Sequence, residues 1–160
     1  TMLSNVDLFH YVGHAYYDAE GRDPTQHPWP PYPGGAAVEP SYIPLGRLGR
    51  IDVPGILMME SVPRVAFLSA CDTGIHDDRM GHGGISLAAA FLGAGAEMVV
   101  ASTQAVDGTE AALIGRGMYA SGVSGSSFDD PGMWFTSGVR WAVEHGLARE
   151  AARDYRVYVP

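Results

Sequence analysis

Two side chains in the sequence could together form a nucleophile and its base. Cys71 is the only cysteine, and His14 precedes it by 57 residues. A thiol attacks a carbonyl carbon as the thiolate, so it needs a base or a cationic partner that favours ionisation. An imidazole supplies this near neutral pH and can later protonate a leaving amine. The pair therefore predicts nucleophilic catalysis, provided that the fold brings the two residues together.

Each of these residues also has a more ordinary interpretation. A lone cysteine is most often a small buried hydrophobic residue, and a lone histidine at the end of a strand is most often simply hydrogen-bonded. Composition alone favours this interpretation for both. Their joint position favours catalysis, because each lies at the end of an expected strand and Cys71 is followed by a loop, residues 72–74.

Two apolar segments are expected to position the pair. Residues 7–15 are rich in β-branched and aromatic residues and predict a buried strand that ends near Gly13. Residues 63–71 are apolar with almost no alternation, which is typical of a parallel strand covered on both faces. Neighbouring parallel strands end at the same edge of a sheet, where open α/β proteins bind ligands. His14 and Cys71 would then meet at that edge.

The remaining segments alternate between helix and strand. We predict a short helix at 54–60, longer helices at 84–92, 107–119 and 131–145, and strands at 97–102 and 155–159. Asp107 and Asp130 are expected to cap the starts of the last two helices. The helix at 84–92 is expected to bury one face, which consists of Ile85, Ala88, Ala89 and Leu92. This order predicts an α/β fold with a mostly parallel sheet flanked by helices and right-handed crossovers.

Two stretches interrupt this pattern. Residues 21–40 contain six prolines, so they predict a long surface loop or insertion. Residues 121–129 are rich in glycine and serine and predict a mobile connection. The length of 160 residues favours a single domain around these segments.

Composition excludes several classes of function. The net charge of −8 is opposite to that of a protein that binds a phosphate backbone. The chain has no lysine, which excludes a Schiff base with pyridoxal phosphate and a P-loop. A single cysteine can form neither an internal disulfide nor a thiolate-rich zinc site, and it is consistent with a reducing compartment, so we expect a cytoplasmic protein. We find neither a signal peptide nor a membrane-spanning run of apolar residues.

The segments around both candidate residues resemble one family. Residues 68–74 (Leu-Ser-Ala-Cys-Asp-Thr-Gly) and 81–96 closely resemble segments of the CHAT domain, a family of caspase-like peptidases often attached to tetratricopeptide repeats. Residues 10–15 resemble its histidine motif. Residues 99–102, followed by 106–107, resemble its next strand, and residues 155–159 resemble its final strand. A histidine about 50 residues before the cysteine motif is also the caspase order.

The resemblance implies a caspase-hemoglobinase fold with a Cys-His dyad. Cys71 would be the nucleophile and His14 the general acid and base, and the backbone N–H groups of Cys71 and Ala15 would form the oxyanion hole. The chain departs from the family pattern at Ala15, where glycine is usual, and at Gln104, where tryptophan is common. It starts almost at the histidine strand. We therefore expect it to be the C-terminal part of a larger protein, without the strands that precede the histidine in caspase-like folds.

Four residues are candidates for contacts with a substrate: Asp72, Ser102, Thr103 and Gln104. Asp72 follows the nucleophile, and an acid near the first specificity pocket would favour Lys or Arg in the substrate; it could equally cap the following turn. We therefore expect an enzyme that is not a strict post-aspartate caspase. The expected partners are a protein or peptide substrate and a regulatory repeat domain or a missing N-terminal segment, with no cofactor and no metal.

Three alternatives stay open at this point. A metal could bind the loop after Cys71 through a cluster formed by His76, Asp77, Asp78 and His82. A metal site formed by His10 and His14 is excluded, because the two residues would lie about 13 Å apart along a strand, too far for one ion. Residues 81–86 approximate a dinucleotide fingerprint, but they begin ten residues after the last residue of the expected strand, instead of after a tight turn. Finally, the chain could be a catalytically silent or partner-gated interaction module.

Overall fold

A computed structural model describes residues 3, 6–15, 41–70, 73–74, 85–120 and 130–160. In these parts of the chain, the strands are β1 (Leu8–Val12), β2 (Tyr42–Pro44), β3 (Arg50–Asp52), β4 (Val65–Ser69), β5 (Met98–Ser102) and β6 (Tyr155–Tyr158). The α-helices are α1 (Val53–Leu57), α2 (Leu87–Gly93), α3 (Gly108–Ala120) and α4 (Pro131–Glu144). None of the helices in these parts is long and apolar enough to cross a membrane.

The main sheet has four strands in the spatial order β1, β4, β5, β6. The first three are parallel, and β6 runs antiparallel to β5. All five residues of β4 and all five of β5 are buried, because helices cover both faces of the sheet. The prediction of an α/β fold with a mostly parallel sheet is confirmed.

The two faces of the sheet form two separate hydrophobic clusters. Alternate residues of β4 point to opposite faces, as in any strand. Ala66 and Leu68 pack in the cluster formed with α1, α2 and the two-stranded ribbon β2–β3. Val65 and Phe67 pack in the cluster formed with α3, α4 and β6. The sheet is therefore the middle layer of a three-layer arrangement.

Side-chain caps fix where the helices begin. Asp130 accepts the N–H of Met133 at the start of α4, and Asp107 accepts the N–H groups of Thr109 and Glu110 before α3. These bonds satisfy backbone donors that have no partner within the helix. The helix starts predicted from these aspartates are confirmed.

The buried face of α2 differs from the prediction. Ser86 caps the helix by accepting the N–H of Ala89, so Ile85 precedes the helix and is 47% exposed. Leu87 and Phe91 are buried instead, while Ala89 and Leu92 are only half-buried. The ribbon of β2 and β3 was not predicted, because strands of three residues carry too few alternations to be recognised. The segments at 21–40 and 121–129 lie outside the described residues.

Candidate active site

His14 follows β1 at the carboxyl edge of the sheet. The N–H of Gly13 donates to the carbonyl of Ser69 at 3.2 Å, so β1 stays attached to β4 for one residue beyond the strand. The hydroxyl of Tyr11 donates to the carbonyl of His14 at 2.8 Å and also lies 3.4 Å from the carbonyl of Pro44. These contacts fix the backbone of His14, while its side chain is exposed.

The strand before Cys71 is the direct neighbour of the strand before His14. β1 and β4 are parallel, with Val12 opposite Ser69. His14 lies two residues beyond Val12 in the sequence, and Cys71 lies two residues beyond Ser69. The prediction that the two strands are parallel neighbours ending at the same edge is confirmed. Cys71 and Asp72 themselves lie outside the described residues.

Buried hydroxyl groups surround the residues on either side of Cys71. Ser102, at the end of β5, donates from its hydroxyl to the carbonyl of Ala70. The hydroxyl of Thr73 lies 3.2 Å from the same carbonyl and 3.1 Å from the carbonyl of Leu68. Ala70, Thr73 and Ser102 are all at least 98% buried. The carbonyl at the end of β4 is thus satisfied by side chains instead of by a neighbouring strand.

Two tyrosines of β6 extend this hydroxyl network. Tyr155 shares a hydrogen bond with the buried hydroxyl of Ser69, and Tyr158 donates to the carbonyl of Gly74 at 2.9 Å. The N–H of Gly74 in turn donates to the carbonyl of Ser102 at 2.8 Å. Sequence analysis missed Thr73 and both tyrosines. These residues could have been found from the hydroxyl side chains that lie at the ends of apolar strands in the sequence. A hydroxyl that is buried at such a position needs a hydrogen-bond partner.

The predicted substrate-contacting residues occupy different environments. Ser102 is fully buried, so its side chain faces the interior of the protein. Thr103 is half-buried, and both its N–H and its hydroxyl donate to the carbonyl of Asp154, at 2.7 and 3.1 Å. Gln104 is exposed beyond the end of β5. Ala15, the predicted second oxyanion donor, is half-buried and packs against the cluster that contains α1 and α2.

His10 is half-buried against Phe67 and does not lie at the edge that carries His14. Its ring packs 4.6 Å from the ring of Phe67, and its Nδ1 lies 2.9 Å from the hydroxyl of Tyr119. Its Nε2 is buried and has no hydrogen-bond partner among the described residues. Burial lowers the pKa of His10 from 6.5 to about 4, because a charged imidazolium would lose its hydration there.

No three histidine, cysteine, aspartate or glutamate residues come together in the described ranges in a way that could hold a metal ion. The loop residues proposed for such a site, 76–78 and 82, lie outside these ranges, as does most of the dinucleotide-like segment 81–86. Residues 85 and 86 are the described part of this segment, and Ser86 caps α2.

Comparison with known protein families finds a match for most of the chain. A family model described as "CHAT domain" matches residues 1–127, which is most of the chain. The match includes His14, Cys71 and the strands that precede them, and it ends before α4 and β6. The resemblance inferred for residues 155–159 therefore lies outside the matched region. No curated protein matches the chain.

Proposed function

The chain belongs to the CHAT domain family, and from this premise we propose that it is a cysteine endopeptidase with Cys71 as the nucleophile and His14 as the general acid and base. The observation that supports this proposal is the pairing of β1 with β4. Val12 lies opposite Ser69 in parallel strands, so the two strands end at the same edge of the sheet. In the sequence, His14 lies two residues beyond Val12, and Cys71 lies two residues beyond Ser69.

The proposed reaction has two halves. The Cys71 thiolate attacks the carbonyl carbon of a peptide bond, forming a carbon–sulfur bond and a tetrahedral oxyanion. The backbone N–H groups of Cys71 and Ala15 donate to this oxyanion. As the carbon–nitrogen bond breaks, His14 protonates the leaving amine, which leaves an acyl-enzyme. His14 then removes a proton from water, which attacks the thioester and releases the carboxylic acid and the thiol.

The substrate in this proposal is a protein or peptide. Asp72 follows the nucleophile in the sequence, and its carboxylate favours a basic side chain, Lys or Arg, immediately before the cleaved bond. Gln104 is exposed beyond β5, the strand next to β4, and is proposed to contact the substrate from that side. Efficient cleavage restricted to bonds after aspartate would contradict this preference.

A mixed peptide library with mass-spectrometric detection tests the proposal. We expect the wild-type chain to cleave, and Cys71→Ala and His14→Ala to lose cleavage by at least about a thousandfold, as in other enzymes whose nucleophile or base is removed. His145→Ala is the matched control, because His145 is an exposed histidine that stacks on Trp141 at the end of α4. It should cleave like the wild type.

Alkylation of the thiol gives a second measurement on the same variants. Because Cys71 is the only cysteine, uptake of iodoacetamide reports on it alone. An activated thiolate reacts well below pH 8, and His14→Ala should shift that reaction to higher pH. A wild-type chain that cleaves no peptide and whose thiol reacts only at alkaline pH would contradict the proposal and favour a catalytically silent interaction module.

A further inference from the structure

The carbonyl group of Ala70 is the last backbone acceptor before the proposed nucleophile. Ala70 is 1% exposed and follows the last residue of β4. A buried carbonyl needs a hydrogen-bond donor. Its donor is the side-chain hydroxyl of Ser102. The hydroxyl of Thr73 lies 3.2 Å from the same carbonyl and shares its single proton between this carbonyl and that of Leu68. This carbonyl belongs to the peptide bond that joins Ala70 to Cys71.

Ser102 holds the segment at both ends. Its hydroxyl donates to the carbonyl of Ala70, and its own carbonyl accepts the N–H of Gly74 at 2.8 Å. The three residues between these two points are 71–73. Ser102 is itself fixed, because it is fully buried and pairs with Tyr155 in the register of β5 and β6. One residue of the neighbouring strand thus fastens both ends of the segment that contains Cys71.

We propose that Ser102 is a positioning residue for the oxyanion hole, and this inference rests on the proposed function. In a planar trans peptide the C=O and N–H groups point in opposite directions. A hydroxyl that holds the carbonyl of Ala70 therefore acts on the same peptide group whose N–H donates to the oxyanion in the proposed mechanism. Ser102 acts through this peptide and does not touch the substrate.

The variant Ser102→Ala removes one of these two bonds and keeps the other. The carbonyl of Ser102 still accepts from Gly74, while the carbonyl of Ala70 keeps only Thr73. We expect kcat to fall about 10- to 100-fold, because small displacements of an oxyanion donor are costly, and KM to change less than about threefold. Thr73→Val, which removes a hydroxyl with little change in volume, should act in the same direction, and Thr73→Ser should restore kcat.

Tyr155→Phe is the matched control. It also removes a buried hydroxyl bond, but that bond joins the side chains of Tyr155 and Ser69 and not the backbone of the segment. It should lower stability without a comparable loss of kcat. An equal loss of kcat in Tyr155→Phe and Ser102→Ala would overturn the inference, since Ser102 would then act only through general stability.

Amide hydrogen exchange, read by mass spectrometry on peptides that cover residues 68–75, separates this inference from the proposed function. Ser102→Ala should raise exchange in this segment by at least about tenfold, and Tyr155→Phe should not. If the wild type cleaves nothing and its thiol reacts only at alkaline pH, the proposed function fails, and the exchange result alone decides whether Ser102 fastens the segment. Equal rates of amide exchange in Ser102→Ala and Tyr155→Phe would show that Ser102 does not fasten the segment.

Discussion

His10 and His14 lie four residues apart, yet the fold gives them different roles. His14 follows the strand with an exposed side chain, whereas His10 is half-buried between Phe67 and Tyr119 of α3. Gly115 makes room for it, because a Cβ there would lie 3.0 Å from Cε1 of His10. The ring is held neutral, since its Nε2 has no acceptor nearby in the described parts of the chain.

The lowered pKa of His10 predicts a loss of stability in acid. Above pH 6.5 the imidazole is neutral in both the folded and the unfolded chain, so His10 contributes no pH dependence. Between pH 6.5 and about 4 the unfolded chain binds a proton that the folded chain does not, so the free energy of unfolding falls as the pH falls. The full loss is about 3 kcal/mol, because each pKa unit corresponds to about 1.4 kcal/mol.

Urea denaturation at a series of pH values measures this dependence. His10→Leu should reduce the slope of stability against pH between pH 6.5 and 4, because the side chain that titrates is gone. His145→Gln, which changes an exposed histidine after α4, should keep the wild-type slope. An unchanged slope in His10→Leu would show that other groups cause the acid sensitivity.

At the scale of elements, α3 and α4 pack with their backbones in close contact. A Cβ on Gly117 would overlap the carbonyl oxygen of Gly138, and a Cβ on Gly138 would lie 2.7 Å from the backbone nitrogen of Met118. The indole N–H of Trp134 donates to the carbonyl of Met118 at 2.7 Å across the same contact. The two glycines therefore allow the helix backbones to touch, and the Trp134 bond fixes their register.

Gly117→Ala and Gly138→Ala should each lower the free energy of unfolding by about 3 kcal/mol or more. The added methyl group meets backbone atoms, which cannot rotate away as a side chain can. Gly108→Ala is the matched control in α3, because a Cβ there meets nothing within 4 Å. It should leave stability unchanged or slightly raised. Urea unfolding followed by tryptophan fluorescence compares the three variants, and equal stabilities would contradict the close contact.

At the scale of the whole molecule, the C-terminal elements complete one of the two cores. Trp134, Phe135 and Tyr155 are at least 92% buried in the cluster that also contains Phe67 and Met118. All three lie beyond residue 127, where the family match ends. Burial of each large apolar side chain is worth about 1.5 to 3 kcal/mol, so together they approach the net stability of a small domain.

A fragment of residues 1–127 should therefore fail to fold cooperatively, although it contains the entire region that matches the family. We expect it to lack near-ultraviolet circular dichroism, to bind a hydrophobic dye and to unfold without a sharp urea transition. Residues 1–160 should show a near-ultraviolet signal, little dye binding and a sharp urea transition. Addition of a peptide of residues 128–160 should restore part of the near-ultraviolet circular dichroism signal. A fragment with the full chain's urea midpoint would show that α4 and β6 are dispensable.

The sequence alone determined the elements of the main sheet and its flanking helices. Unbroken apolar runs predicted β4 and β5, and aspartate caps predicted the starts of α3 and α4, because both signals act within a few neighbouring residues. The parallel pairing of β1 with β4 also followed from local patterns, since strands linked through helices run parallel. Through this pairing, the strand before His14 and the strand before Cys71 end at one edge of the sheet.

Only the tertiary structure decided which side chains face which partners. The buried face of α2, the neutral state of His10 and the close approach of Gly117 to Gly138 all depend on elements that are distant in the sequence. Ser102 was expected to contact a substrate, but strand pairing buries it, and its hydroxyl holds the carbonyl of Ala70 instead. Local patterns encode periodicity and caps, whereas the environment of a side chain is fixed when distant segments pack together.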